Sequence, residues 1–107
     1  MKLIFAIVNS DDSSAVSAAL TKEGFFVTKL ASTGGFLMSG NTTFLICTEE
    51  EKVAQAIGII GEHSRKRKQL VSSSANFGIN TYTAMPVEVT VGGATIIVTD
   101  VERFEKI

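Results

Sequence analysis

The chain has 107 residues, with ten lysines and arginines against eleven aspartates and glutamates, a formal net charge of −1 and a single cysteine. That size suits one domain over residues 1–107, able to bury roughly 65% of its unfolded surface and so to hold a core without cross-links. The balanced charge excludes a general attraction to nucleic acid or anionic lipid, and the lone Cys47 excludes an internal disulfide and points to a reducing, cytoplasmic setting.

No run approaches the roughly 18 apolar residues of a membrane span. The run at 3–8 is too short for the apolar region of a signal peptide, and no small-residue cleavage site follows it. Hydrophobic residues nevertheless make up 45% of the chain and the mean hydropathy is +0.28, high for so small a soluble domain.

Residues 2–8 (KLIFAIV) form a continuous apolar run, the pattern of a central strand buried on both faces. Asp11, Asp12, Ser13 and Ser14 supply helix-start chemistry and negative charge for the positive end of a helix dipole. The helix that follows runs to about Glu23, with Ala15, Val16, Ala19 and Leu20 as its inner stripe, and Gly24 stands where a left-handed residue ends a helix. Residues 25–31 (FFVTKLA) and 42–48 (TTFLICT) predict a second and a third strand, joined by a long Ser/Thr/Gly connection. Thr48-Glu49-Glu50-Glu51 has the spacing of a capping box, opening a helix to about Ser64 with Val53, Ala56, Ile57 and Ile60 at helical spacing. Arg65-Lys66-Arg67-Lys68 then sets positive charge near that helix's C-terminal end. Residues 70–85 have no clean period and predict a long loop. Residues 87–91 (VEVTV) and 94–99 (ATIIVT) flank Gly92-Gly93, the pattern of a tight hairpin. The tail 100–107 is read as a short helix or an exposed end.

This order predicts an α+β, ferredoxin-like βαββαβ plan with an elaborated C-terminal hairpin. In that plan both helices cover one face of the sheet, because the crossovers share one hand. Leu3, Phe5 and Ile7 alternate with Ile4, Ala6 and Val8, and Leu45 and Cys47 with Phe44 and Ile46, so both faces are apolar. A homo-oligomer that buries the second face is the simplest resolution.

Chemistry is sparse. His63 reads as a surface residue at a helix end, Cys47 as a buried and inert thiol, and Glu88 as an outward-facing edge residue. No His, Cys, Asp or Glu set has metal-ligand spacing, so neither a catalytic residue, a metal nor a cofactor is assigned. The basic run 65–68 lacks interleaved aromatics and reads as a solvated helix end or, secondarily, an anion contact. In the loop 31–41, Gly34-Gly35 can expose successive amides to an anion, Phe36 can stack on a base, and Asn41 can pair with a base edge. The same residues also fit a plain turn whose Phe36 and Leu37 anchor it on the core.

Residues 28–44 (TKLASTGGFLMSGNTTF), with KLIFAIV before them and PVEVTVGGATIIV after them, closely resemble the TKLATTGGFLxxGNTTF signature and flanking blocks of the cyclic-di-AMP receptor family. These are PII-like signal-transduction proteins found chiefly in Gram-positive bacteria. The resemblance implies a ferredoxin-like subunit, a homotrimer and a cyclic dinucleotide held in clefts between subunits. By that likeness Thr28, Gly35, Phe36, Leu37 and Asn41 match ligand-contacting positions, with Gly92 contributed across the cleft. The family's usual Asn-x-Arg-x-Thr is here Gly24-Phe25-Phe26-Val27-Thr28, which removes an arginine from the phosphate side. The expected function is a non-catalytic cytoplasmic receptor that binds cyclic-di-AMP and signals through loops to an unknown downstream protein, with no membrane and no nucleic acid partner. The alternative is a diverged PII-like interaction module that binds another nucleotide, or no cyclic-di-AMP.

Overall fold

The central strand, β1 (Lys2–Asn9), alternates fully buried Ile4, Ala6 and Val8 with half-buried neighbours on the opposite face. In the computed structural model, which describes residues 1–30, 40–72 and 86–107, that alternation organises everything else. A short 3₁₀ turn at Ser10–Asp12 leads into α1 (Ser13–Lys22), followed by β2 (Val27–Leu30), β3 (Asn41–Thr48), α2 (Glu50–His63), β4 (Arg67–Ser72), β5 (Pro86–Val91) and β6 (Ala94–Asp100).

β2, β3, β1 and β6 form one sheet in that order, and every pairing in it is antiparallel. β2 therefore runs parallel to β1 with β3 between them, and β6 parallel to β3 with β1 between them. This pair of split crossovers is compatible with the ferredoxin-like plan, with β6 in the place of its last strand. β4 and β5 pair with each other as a separate two-stranded ribbon.

The core lies between the helices and one sheet face. Ile4, Ala6, Val8, Phe44 and Ile46 pack with Val16 and Leu20 of α1 and Ala56 and Ile60 of α2. Fully burying a side chain such as Phe44 or Ile4 contributes about 1.5–3 kcal/mol. α1 ends as its sequence predicts: Gly24 takes φ +88°, its amide bonds to Thr21 O at 3.0 Å, and the Phe25 amide bonds to Leu20 O at 3.0 Å. This is the Schellman arrangement, and Phe25 and Leu20 belong to the same core.

Three expectations need correction. The capping box does not form, because Thr48 is the last inward residue of β3, buried and opposite Lys2, and Glu49 is the N-cap without a side-chain cap bond. The segment 65–72 is not a helix end running into a loop: Arg67 begins β4, and the predicted loop at 70–85 starts with strand residues paired to β5. Gly92-Gly93 does not turn a hairpin between its flanking strands. β5 pairs with β4 and β6 with β1, so the two glycines hand the chain from the ribbon to the main sheet. A local turn signal cannot say which strands pair, and here β1 offered β6 a long apolar partner.

The second sheet face remains apolar, as expected. Leu3, Phe5, Ile7 and Leu45 are half-buried there, while Leu30 is 42% and Ile97 52% exposed. Cys47 stands on this face too, half-buried rather than in the core. After Asp100 the tail has no regular structure, and Phe104 and Ile107 are exposed.

Candidate functional site

Where β1 ends, four segments converge on a cleft of about 360 Å³: the end of β1, the start of β3, the 65–66 connector, and the link from β5 to β6. Its volume falls within the roughly 300–1,000 Å³ range of small-molecule sites. Asn9, Asn41, Lys66, Thr90, Gly92, Gly93 and Thr95 supply the wall, over Ile7, Val8, Val91 and Ala94.

Local sequence explains how each wall is held. The Gly40 carbonyl accepts from both the Ser10 amide at 3.2 Å and the Ser10 hydroxyl at 2.7 Å, which fixes the backbone just before Asn41. Asn9 caps the 3₁₀ turn, its side-chain oxygen accepting from the Asp11 amide at 2.8 Å. Asn41 pairs with Asn9 across the β1–β3 ladder, and both stand on the sheet face away from the helices.

The opposite wall depends on two left-handed glycines, Gly92 at φ +87° and Gly93 at φ +86°. A Cβ on Gly92 would lie 2.5 Å from the Arg65 carbonyl oxygen and 2.7 Å from Arg67 Nη1, so only glycine fits there. The Gly93 amide donates to the Ser64 carbonyl, and the buried Ser64 hydroxyl donates to Ile60 O at 2.5 Å. Three residues on, Arg67 reaches the buried Asp12 carboxylate, with Nη2–Oδ1 at 2.9 Å and Nη1–Oδ2 at 3.2 Å, and also donates to Arg65 O. The connector is thus pinned to α2 at one end and to the start of α1 at the other.

Of the residues singled out from sequence, Asn41 and Gly92 meet in this cleft. Thr28 is exposed on β2 opposite Leu45, on the same sheet face as Asn41 but outside the cleft lining. Gly35, Phe36 and Leu37 lie outside the described residues. Phe26, at the position where an arginine was expected by likeness, is 82% exposed with the Lys106 ammonium 5.5 Å from its ring centroid. Asn9, Lys66 and Thr95 were not found by sequence reasoning. Only the basic run 65–68 carried a signal, and it did not separate Lys66 from its neighbours.

Among the described residues no group of three or more His, Cys, Asp or Glu is arranged to hold a metal ion, and no helix is long and apolar enough to cross a membrane. His63 is exposed at the end of α2 and Glu88 is exposed on β5.

A solved structure from Pediococcus pentosaceus ATCC 25745, described as a functionally unknown protein, is 40% identical to this chain, covering 99% of it and 96% of the other chain, with a TM-score of 0.76. The family model described as cyclic-di-AMP receptor matches residues 1–107, the full span that includes both cleft walls and the 28–44 motif. With that match over the whole chain, the protein belongs to the cyclic-di-AMP receptor family.

Proposed function

We propose that the protein is a non-catalytic, cytoplasmic receptor that binds cyclic-di-AMP at the cleft between Asn41 and Gly92 and relays binding through its loops to a downstream protein. The observation that carries this reading is the convergence of Asn41 and Gly92. They are far apart in sequence, each was singled out by family likeness, and they line one cleft. The motif residues Thr28, Gly35, Phe36 and Leu37 complete the ligand set in this reading, with Phe36 stacking on an adenine and the Gly35 amide meeting a phosphate.

We further read the functional unit as a PII-like homotrimer of single-domain subunits. The uncovered face around Phe5, Leu30, Leu45 and Ile97 supports self-association, since contiguous exposed apolar surface marks an interface. Thr28 and Asn41 stand on that same face, so a neighbouring copy would close over the ligand residues. The relay follows from differential affinity: a ligand that prefers one loop arrangement populates it, and only to the extent of that preference.

Isothermal titration with cyclic-di-AMP, cyclic-di-GMP and ATP tests the reading. Saturable heat with the first, weaker with the others and reduced at least about tenfold (1.4 kcal/mol) by Asn41→Ala, is the expected result. No heat and no thermal shift with cyclic-di-AMP at near-millimolar concentration would remove it.

A further inference from the structure

The basic run 65–68 divides its charges among different tasks. Arg67 commits both terminal nitrogens to Asp12, and Lys68 Nζ lies 3.1 Å from Glu88 Oε1 on the outside of the ribbon. Lys66 forms no salt bridge among the described residues, and it is the one charged side chain on the cleft wall. Its stem lies against Gly93: a Cβ there would come within 3.0 Å of Lys66 Cγ and 3.3 Å of Cε. A glycine with no side chain is what lets the lysine lie along the wall. The rest of the described lining is neutral, and among the described residues no carboxylate pairs with the ammonium.

A neutral wall of Asn and Thr side chains can hydrogen-bond a phosphate but cannot balance its charge. An ammonium supplies both, and a charge-assisted bond is roughly twice as strong as a neutral one. The connector that bears Lys66 is pinned on either side, at Ser64 by the Gly93 amide and at Arg67 by Asp12. The lysine therefore stands on a fixed base, with its flexible end free to adjust to a ligand.

We propose that Lys66 is the anion-recognising residue of the cleft, the cation that meets a phosphate group of the bound ligand. The proposal rests on the cleft being the nucleotide site, and it adds a specificity element to it: ligands lacking a phosphate at that wall gain nothing from Lys66.

The test is calorimetric titration of cyclic-di-AMP into the wild type, Lys66→Gln, Lys66→Arg and Lys68→Gln. Lys66→Gln is expected to weaken binding about tenfold or more, Lys66→Arg to recover most of it, and Lys68→Gln to stay within about twofold of wild type. Raising salt should weaken the wild type more than Lys66→Gln. Unchanged melting temperatures check that each variant folds. A wild type that binds while Lys66→Gln binds equally well overturns the assignment and leaves the receptor reading intact. A wild type that binds no cyclic-di-AMP defeats the receptor reading, and titration of inorganic pyrophosphate, followed on the Gly92 and Gly93 amide signals by NMR, then decides on Lys66. Shifts present in the wild type and absent in Lys66→Gln sustain it; signals that stay put in the wild type overturn it too.

Discussion

Arg67 grips Asp12 through both terminal guanidinium nitrogens, joining the first residue of the ribbon strand β4 to the turn that opens α1, 55 positions earlier in the chain. The two partners are unequally placed: the Asp12 side chain is 10% exposed and that of Arg67 44%. That inequality predicts an asymmetric mutational response. Arg67→Gln strands a buried carboxylate and should cost about 2–3 kcal/mol, whereas Asp12→Asn leaves a cation that can turn to water and should cost about 1 kcal/mol. Urea denaturation checks the order, read as a larger fall in midpoint for Arg67→Gln at constant slope.

The left-handed glycines should rank by what surrounds them. Gly24 has open space at its Cβ position, so Gly24→Ala should cost only the left-handed strain of about 1–2 kcal/mol. Gly92→Ala adds a collision with the Arg65 backbone and should cost at least about 2–3 kcal/mol, with loss of ligand affinity as the wall shifts. Thermal denaturation of both variants alongside ligand titration of Gly92→Ala measures the difference.

The two sheet faces should respond differently to substitution. Phe44→Ala opens a cavity in the helix-covered core and should cost about 3–5 kcal/mol. If the proposed homotrimer is held by the other face, Ile97→Glu at a half-exposed position there should leave the subunit folded yet lower its mass in sedimentation to that of a monomer. Retention of the wild-type assembly by Ile97→Glu would argue that this face is not the interface.

Lys2 and Asp100 stand opposite each other where β1 meets β6, and they form a salt bridge at the surface. The hydrogen bond and charge of Lys2 hold the Asp100 carboxyl below the usual carboxylate range, and the hydrogen bond from the same pair raises Lys2 above the usual amine range. A depressed carboxyl contributes stability above its unfolded value, near pH ~4, and loses it as pH falls through the lower folded value. A raised amine contributes below about pH 10.4 and loses that as pH rises through the higher folded value. Asp100→Asn should therefore flatten both limbs of the stability profile by slightly lowering the plateau between about pH 4 and pH 10, where the pair is intact, and should change little at the acid and alkaline extremes. Denaturation midpoints from pH 2 to 11 provide the test.

Much of this architecture was legible because burial leaves a period. β1 and β3 announce themselves by apolar runs, α1 and α2 by stripes such as Val16–Leu20 and Ala56–Ile60, and Gly24 by its place after a helix. β4 was missed because its residues 67–70 present no buried face. Arg67 through Leu70 are all exposed, so RKQL carries neither a helical nor a strand period. Gly92-Gly93 was read as a tight hairpin, but pairing is a long-range property and the local motif could not show that β5 and β6 part there. No spacing rule links positions on different strands, so sequence did not show that Asn41 and Gly92 line one cleft within the subunit; family likeness named them only as ligand positions in a cleft between subunits. Lys66 was hidden among three neighbours of like charge; the Arg67–Asp12 and Lys68–Glu88 pairs set it apart from two of them, and its place on the cleft wall from Arg65.

The parting of β5 and β6 has a mechanical consequence. A two-stranded ribbon has little stability of its own and takes its bearing from its attachments. Here one attachment is the Arg67–Asp12 grip and the other is a two-glycine joint that is also a wall of the cleft. In the proposed receptor, a ligand that displaces the Gly92-Gly93 joint would reorient the ribbon, and by thermodynamic reciprocity a protein that bound the reoriented ribbon would change the affinity of the cleft by the same factor.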